Sequence, residues 1–206
     1  MKLFYATGTC SLGIHILLEE IGKPYEAVAI SLREGDQRKP EFVAINPKSK
    51  VPTLVRDDGS VLTEFPAIAF WLARTNPQAG LLPDDADAQA RELEAMEFVT
   101  ATIHMQGFSR VFGPARFGPS EADAEAVTAR GKEIIAAGFQ RLDEALAGKD
   151  FVLGAFSIAD AALFFVEFWA AGRLGLTLPP NVAAHFARMK ARPAVARVMA
   201  REGLAA

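Results

Sequence analysis

The chain has a single cysteine, Cys10. One thiol cannot close an internal disulfide, so nothing in the sequence points to an oxidising compartment. There is no C-x-x-C pair, which excludes a self-resolving dithiol oxidoreductase; any disulfide formed at Cys10 must be mixed, with a second molecule. Excess charge of one sign is also missing: the formal net charge is −3. That argues against a generic nucleic-acid binder, which needs a basic face. No apolar run approaches the roughly 18 residues of a membrane span. The start, "MKLFYATG", shows no cleavage-like small-residue motif after an apolar region, so no signal peptide is expected and the cytoplasm is the expected compartment. No spacing of His, Cys, Asp and Glu reads as a metal site. No repeat and no low-complexity tract is present.

What is there is ample apolar material. Of 206 residues, 50% are hydrophobic and 23% are charged, enough for one large core or two small ones. "KLFYA" (2–6) is short and aromatic, as strands are. In "SLGIHILLEEIG" (11–22), Ile14, Leu17, Leu18 and Ile21 recur at helical spacing and Gly22 fits a helix stop. "YEAVAIS" (25–31) alternates. This is a βαβ unit with parallel strands and a right-handed crossover. "KPEFVAINP" (39–47) predicts a short helix or turn. "VPTLVRDDGSVLTE" (51–64) flanks Asp58-Gly59, a hairpin signal. "PAIAFWLARTNP" (66–77) predicts a helix, with Pro66 in its first turn, where the missing amide hydrogen is not needed.

The composition then shifts. Residues 76–89 are rich in Pro, Gly and Asp, as a linker is, and no strand pattern follows. Helices are predicted over 86–112, 121–148 and 157–175, with a pair over 181–203 broken at Pro193. The reading is an α/β domain over 1–76, a linker over 77–85 and an all-α domain over 86–206.

Cys10 falls where the first helix would begin. Unpaired amides and the helix dipole there favour thiolate over thiol, and Thr7, Thr9 and Ser11 offer hydroxyls; the plain alternative is a small buried apolar side chain. In "SKVPTL" (49–54), a cis bond before Pro52 would turn the Val51 backbone outward for an extended peptide. Only about 5–6% of X-Pro bonds are cis, so the residues by themselves favour trans. "LTEFPAI" (62–68) sets Glu64 and the Phe65 amide at a helix N-terminus, fit for a carboxylate and an ammonium ligand, or simply an acidic first turn. His104 sits in an amphipathic helix, where a structural role is the commoner one. His15 is roughly 140° around its helix from Cys10 and, with His185, reads as structural. "FSIAD" (156–160) is a capping box from Ser157 to Asp160, and the helix it opens is apolar nearly all round, as a buried central helix is.

In order, "MKLFYATGTCSLGIHILLEE", "INPKSKVPTL", "DDGSVLTEFPAI" and "SIADAALFF" closely resemble bacterial glutathione transferases, the beta class in particular, along the whole chain. The resemblance implies a thioredoxin-like glutathione-binding N-terminal domain and an all-α C-terminal domain lining a pocket for an apolar co-substrate. It places the family's cysteine on Cys10 and its cis proline on Pro52, with Val51 pairing to the cysteinyl unit of glutathione. Glu64 and the Phe65 amide would hold the γ-glutamyl end. His104 matches the histidine near the thiol, and Glu97 the residue reaching across a dimer interface. Thr9 would support the sulfur, Arg33 and Lys50 the glycyl carboxylate, and Phe112 and Trp169 the co-substrate. Two departures stand out: Phe65 where Ser or Gly is usual, which loses a hydroxyl and adds a ring, and Met105 where Lys often follows the histidine.

The implied activity is conjugation of glutathione to small hydrophobic electrophiles, as in detoxification, beside thiol–disulfide exchange through Cys10. The implied assembly is a soluble homodimer that uses glutathione as co-substrate and no metal, with no nucleic-acid or membrane role. The alternatives are a specialised glutathione-dependent lyase or dehalogenase, and a non-catalytic binding or scaffold protein.

Overall fold

The computed structural model describes residues 1–204. It divides into two compact units, one comprising Met1–Asp84 together with the chain from Arg188 onward, the other Asp85–Ala187.

The first unit is built on a four-stranded sheet, β1 (Lys2–Tyr5), β2 (Glu26–Ala29), β3 (Thr53–Val55) and β4 (Val61–Thr63), in the order β2-β1-β3-β4. β1 and β2 are parallel, while β3 runs antiparallel to both β1 and β4. The parallel pair requires a crossover, and α1 (Ser11–Ile21) supplies it. α1 stops where Gly22 turns left-handed, φ 71°, and returns its N–H to the Leu18 carbonyl at 3.1 Å. The β3–β4 hairpin turns at Asp58-Gly59, with Gly59 at φ 81°. Its turn is held by the Asp58 carboxylate, which accepts from the Ser60 amide at 2.9 Å. Two further helices, α2 (Pro40–Ile45) and α3 (Phe65–Thr75), complete the α/β part. Leu3, Leu12, Ile16, Leu17, Leu54, Ile68 and Leu72 are fully buried in this unit.

The second unit has no strand among the described residues. α4 (Ala86–Glu97) begins at Asp85, whose side chain accepts from the Ala88 amide. It runs into a π-helical segment, Phe98–Phe108, and then α5 (Ser109–Phe112). The single helix expected over 86–112 is therefore continuous in course but π-wound in its middle. α6 (Ala124–Leu146) packs on the π segment, and glycines permit the close approach. A Cβ on Gly131 would lie 2.8 Å from the Gly107 carbonyl oxygen.

α7 (Ile158–Phe168), followed by a π turn at Trp169–Arg173, is buried from Ile158 through Glu167. It is the central helix that its apolar pattern predicts. The capping box is present: Ser157 accepts from the Ala159 amide, and Asp160 accepts from the Ser157 amide at 2.9 Å. α8 (Pro180–Lys190) has its first amides capped by another helix, since Asp143 of α6 accepts from the Asn181 amide at 2.6 Å.

The final helix, α9 (Pro193–Arg201), groups with the first unit, whereas the sequence division assigned 188–206 to the helical half. The reason is its apolar face, Ala194, Val195, Val198 and Met199, all buried, and its packing on α1. Helix-only periodicity cannot show which partner such a face selects.

Candidate active site

The loop from β1 to α1 is tied to itself. The Thr9 amide reaches the Ala6 carbonyl at 3.1 Å and the Thr9 hydroxyl reaches it at 2.8 Å. Thr9 Oγ1 also shares a 2.7 Å bond with Ser11 Oγ. The hydroxyl expected to serve a bound sulfur is thus engaged in closing the turn. This leaves Cys10 at the N-cap of α1 with φ −58° and ψ −24°.

Cys10 is half-buried, and its thiol donates to the Val51 carbonyl at 3.5 Å. The Val51–Pro52 peptide is cis, as the resemblance implies and against the general X-Pro preference. Burial pushes the Cys10 thiol up to about 12. The amides of Cys10 and Ser11 and the Lys50 cation pull the other way, and the Glu64 carboxylate adds to the rise. The expectation that the helix N-terminus makes Cys10 a thiolate is therefore corrected. The amides are there, but desolvation of a charged sulfur outweighs them. At neutral pH the group is a hydrogen-bond donor.

The opposite wall comes from residues 46–50 and the start of α3. Asn46 is buried and its amide group donates to the Lys50 carbonyl at 2.9 Å and to Thr53 Oγ1 at 2.8 Å. Its carbonyl oxygen accepts from the Lys48 amide at 3.1 Å. Ser49 takes a positive φ of 55° inside this turn. Lys48 is thereby aimed at the junction of β4 and α3, where its ammonium donates to Glu64 Oε1 at 2.7 Å and to Thr63 Oγ1 at 2.9 Å. Glu64 is exposed and holds φ 69°, a conformation a non-glycine residue rarely adopts. The Phe65 ring is only 6% exposed, so the bulk that replaces Ser or Gly is absorbed by the core. Lys50 is exposed beside the thiol. Arg33 is exposed on a loop whose ends are joined by the Ser31 amide and the Asp36 carboxylate at 2.7 Å.

The remaining candidates lie in the second unit. His104 is in the π segment, its ring edge-on to Trp169 at 4.9 Å and to Phe165 at 5.4 Å. Trp169 also meets Phe108 at 5.3 Å and Phe112 at 5.5 Å. Trp169 is 5% exposed and Phe112 is 43% exposed, so the first anchors this aromatic cluster and the second presents it to solvent. Glu97, the last residue of α4, is exposed and accepts from Thr100 Oγ1 at 2.7 Å. Met105 is exposed.

Sequence reasoning missed two residues here. Lys48 left a signal in the Asn46-Pro47 turn that directs it. Glu202 left none. Its carboxylate accepts from the Gly8 amide at 2.8 Å and bonds His15 Nδ1 at 2.8 Å, pinning the loop that carries Cys10 from 194 residues away. Among the described residues no cluster of His, Cys, Asp and Glu could hold a metal ion, and no helix is long and apolar enough to cross a membrane.

Comparison with known proteins agrees with this geometry. Residues 7–75 match the glutathione S-transferase N-terminal domain and residues 125–201 match the C-terminal domain. The chain is 36% identical to glutathione S-transferase GstA of Escherichia coli O157:H7, over 99% of this chain and 100% of that one. A glutathione transferase homologue from Sulfitobacter, solved with bound glutathione, superposes with a TM-score of 0.91 at 32% identity, covering 99% of this chain and 98% of that one. The beta-class glutathione S-transferase of Sphingomonas chungbukensis gives 0.85 at 34% identity, with full coverage of both. Two domain matches that together span most of the chain, and full-length relatives on both counts, agree with a cysteine at the start of the first helix facing a cis proline: the chain belongs to the glutathione S-transferase family, close to its bacterial beta-class members.

Proposed function

We propose that this transferase conjugates the glutathione thiolate to small hydrophobic electrophiles, with Cys10 acting first as a hydrogen-bond donor. The observation that carries the reading is the Cys10 sulfur 3.5 Å from the Val51 carbonyl, a long contact from which its single S–H can turn to a bound sulfur. With its pKa pushed up to about 12, the fraction ionised at pH 7 is about one in 10⁵. A thiol that stays protonated is a poor nucleophile. It is a serviceable donor to a second sulfur that carries the charge instead, which lowers the pKa of that sulfur. Conjugation needs only this. Thiol–disulfide exchange through Cys10 requires its own thiolate and is the minor activity at neutral pH.

In this reading residues 1–76 bind glutathione and the helical part from 86 supplies the co-substrate pocket, with Phe112 and Trp169 in its wall. Val51 pairs with the cysteinyl backbone, Glu64 and the Phe65 amide take the γ-glutamyl end, and Lys50 and Arg33 favour the glycyl carboxylate. Thr9 acts by holding the loop. His104 lies on a π segment, a winding frequent at functional sites, and serves the reacting sulfur. The protein works as a homodimer in the cytoplasm, with Glu97 reaching a neighbouring copy's ligand.

The test compares Cys10→Ala with the parent in two assays. Conjugation to a chloronitroaromatic should fall by about tenfold, the worth of one hydrogen bond to a charged atom, while glutathione-dependent disulfide reduction should vanish. Unchanged conjugation sinks the donor role. If the parent shows no calorimetric heat with millimolar glutathione, the protein is a scaffold and not a transferase.

A further inference from the structure

The pair formed by Lys48 and Glu64 is not explained by the fold. Both side chains are more than half exposed, and an ion pair in that setting contributes little to stability. Yet its placement is built. The buried Asn46 side chain holds the turn at the Lys48 amide and the Lys50 carbonyl and anchors it to Thr53 Oγ1, Ser49 adopts a left-handed backbone, and Glu64 sits at φ 69°. Two rarely populated backbone conformations bring one ammonium and one carboxylate together at 2.7 Å. That separation is close to the one between the charged groups on a single α-carbon.

We propose that Lys48 is a specificity-determining residue that, together with Glu64, reads the α-amino-acid head group of the γ-glutamyl unit as a charge doublet. This rests on the reading that Glu64 holds the ammonium of that unit. Antiparallel to the protein pair, the ligand's ammonium meets Glu64 and its α-carboxylate meets Lys48. Lys48 Nζ spends two donors on Thr63 and Glu64 and keeps a third for the ligand. In the free protein the two charges neutralise each other. A ligand carrying only one of the head-group charges satisfies one partner and leaves the other facing a like charge, so the pair favours the zwitterion.

The experiment measures binding by calorimetry for the parent, Lys48→Met, Lys48→Arg and Glu64→Gln. Three probes are used: glutathione, its glutaryl analogue lacking the ammonium, and its 4-aminobutanoyl analogue lacking the α-carboxylate. Lys48→Met should weaken glutathione and the glutaryl analogue by about two- to fivefold, the range of an exposed ion pair. It should not weaken the aminobutanoyl analogue. Lys48→Arg should restore most of the loss. In steady state the change should appear in KM for glutathione with kcat held. Equal weakening of all three probes, no weakening of any, or tighter glutathione binding overturns the proposal. The underlying reading fails separately: Glu64→Gln would then leave glutathione affinity unchanged, whatever Lys48 does.

Discussion

Each unit buries a histidine completely, and the two are wired differently. In the first unit His15 on α1 bonds one carboxylate, that of Glu202 at the end of α9, while its Nε2 has no partner among the described residues and the ring lies against Tyr5 and Tyr25. In the second, His185 on α8 sits between two carboxylates. Its Nδ1 is 2.8 Å from Glu167 and its Nε2 is 3.1 Å from Asp160, both on α7. Burial lowers the His185 pKa, but the two acids overcome that and set it at about 9. This ring is an imidazolium at neutral pH, with both nitrogens donating. Asp160 also accepts from the Val152 and Ser157 amides. The same side chain therefore serves two ends. One histidine helps a distant carboxylate reach the loop before Cys10, and the other supplies the charge that lets two acids stay inside an apolar helix.

Breaking the second network should have the larger effect. Asp160→Ala removes one acceptor from His185 and two backbone amides lose theirs, and loss of one member of a buried charge pair costs about 3–5 kcal/mol. Denaturant unfolding should show the second unit failing first. Glu202→Ala removes the carboxylate that the Gly8 amide and His15 Nδ1 share, a loss of about 2–3 kcal/mol. Unlike Asp160→Ala, it should also change Cys10 reactivity, read as a faster alkylation rate. A rate equal to the parent's would show that Glu202 holds the fold and not the loop.

The sharpest contrast is in pH. The folded His185 pKa is raised, so the stability it contributes is complete below the ordinary histidine value near 6.5 and is lost as pH rises through about 9. Over that window about 3 kcal/mol should go. Glu92, pushed up to about 7 by burial and by Asp160, though its Ser157 bond lowers it, adds loss in the same direction at lower pH. His185→Gln should flatten the melting profile above pH 7, whereas His15→Gln should leave it sloping. A profile equally steep without His185 refutes the assignment.

Much of this was legible in the residues. Gly22, Asp58-Gly59, Pro66 and the Ser157–Asp160 box act within a few positions, through backbone conformation and orphan amides, so a short window contains their whole physics. Order of motifs then identified the family, and with it the cis bond at Pro52. The winding of Phe98–Phe108 was not legible: its i→i+5 pattern differs from the α period, but the segment is too short and too evenly apolar for a local window to tell the two apart.

The sequence by itself determined the elements, their order, and the position of one sulfur at a helix start. Tertiary structure alone decided that sulfur's protonation. Its pKa is a balance between nearby amides, which the sequence shows, and lost water, which depends on everything folded around it. The same holds for α9 and Glu202, whose partners are almost a chain length away. Contacts over such separations obey burial and charge pairing, and no local pattern records them.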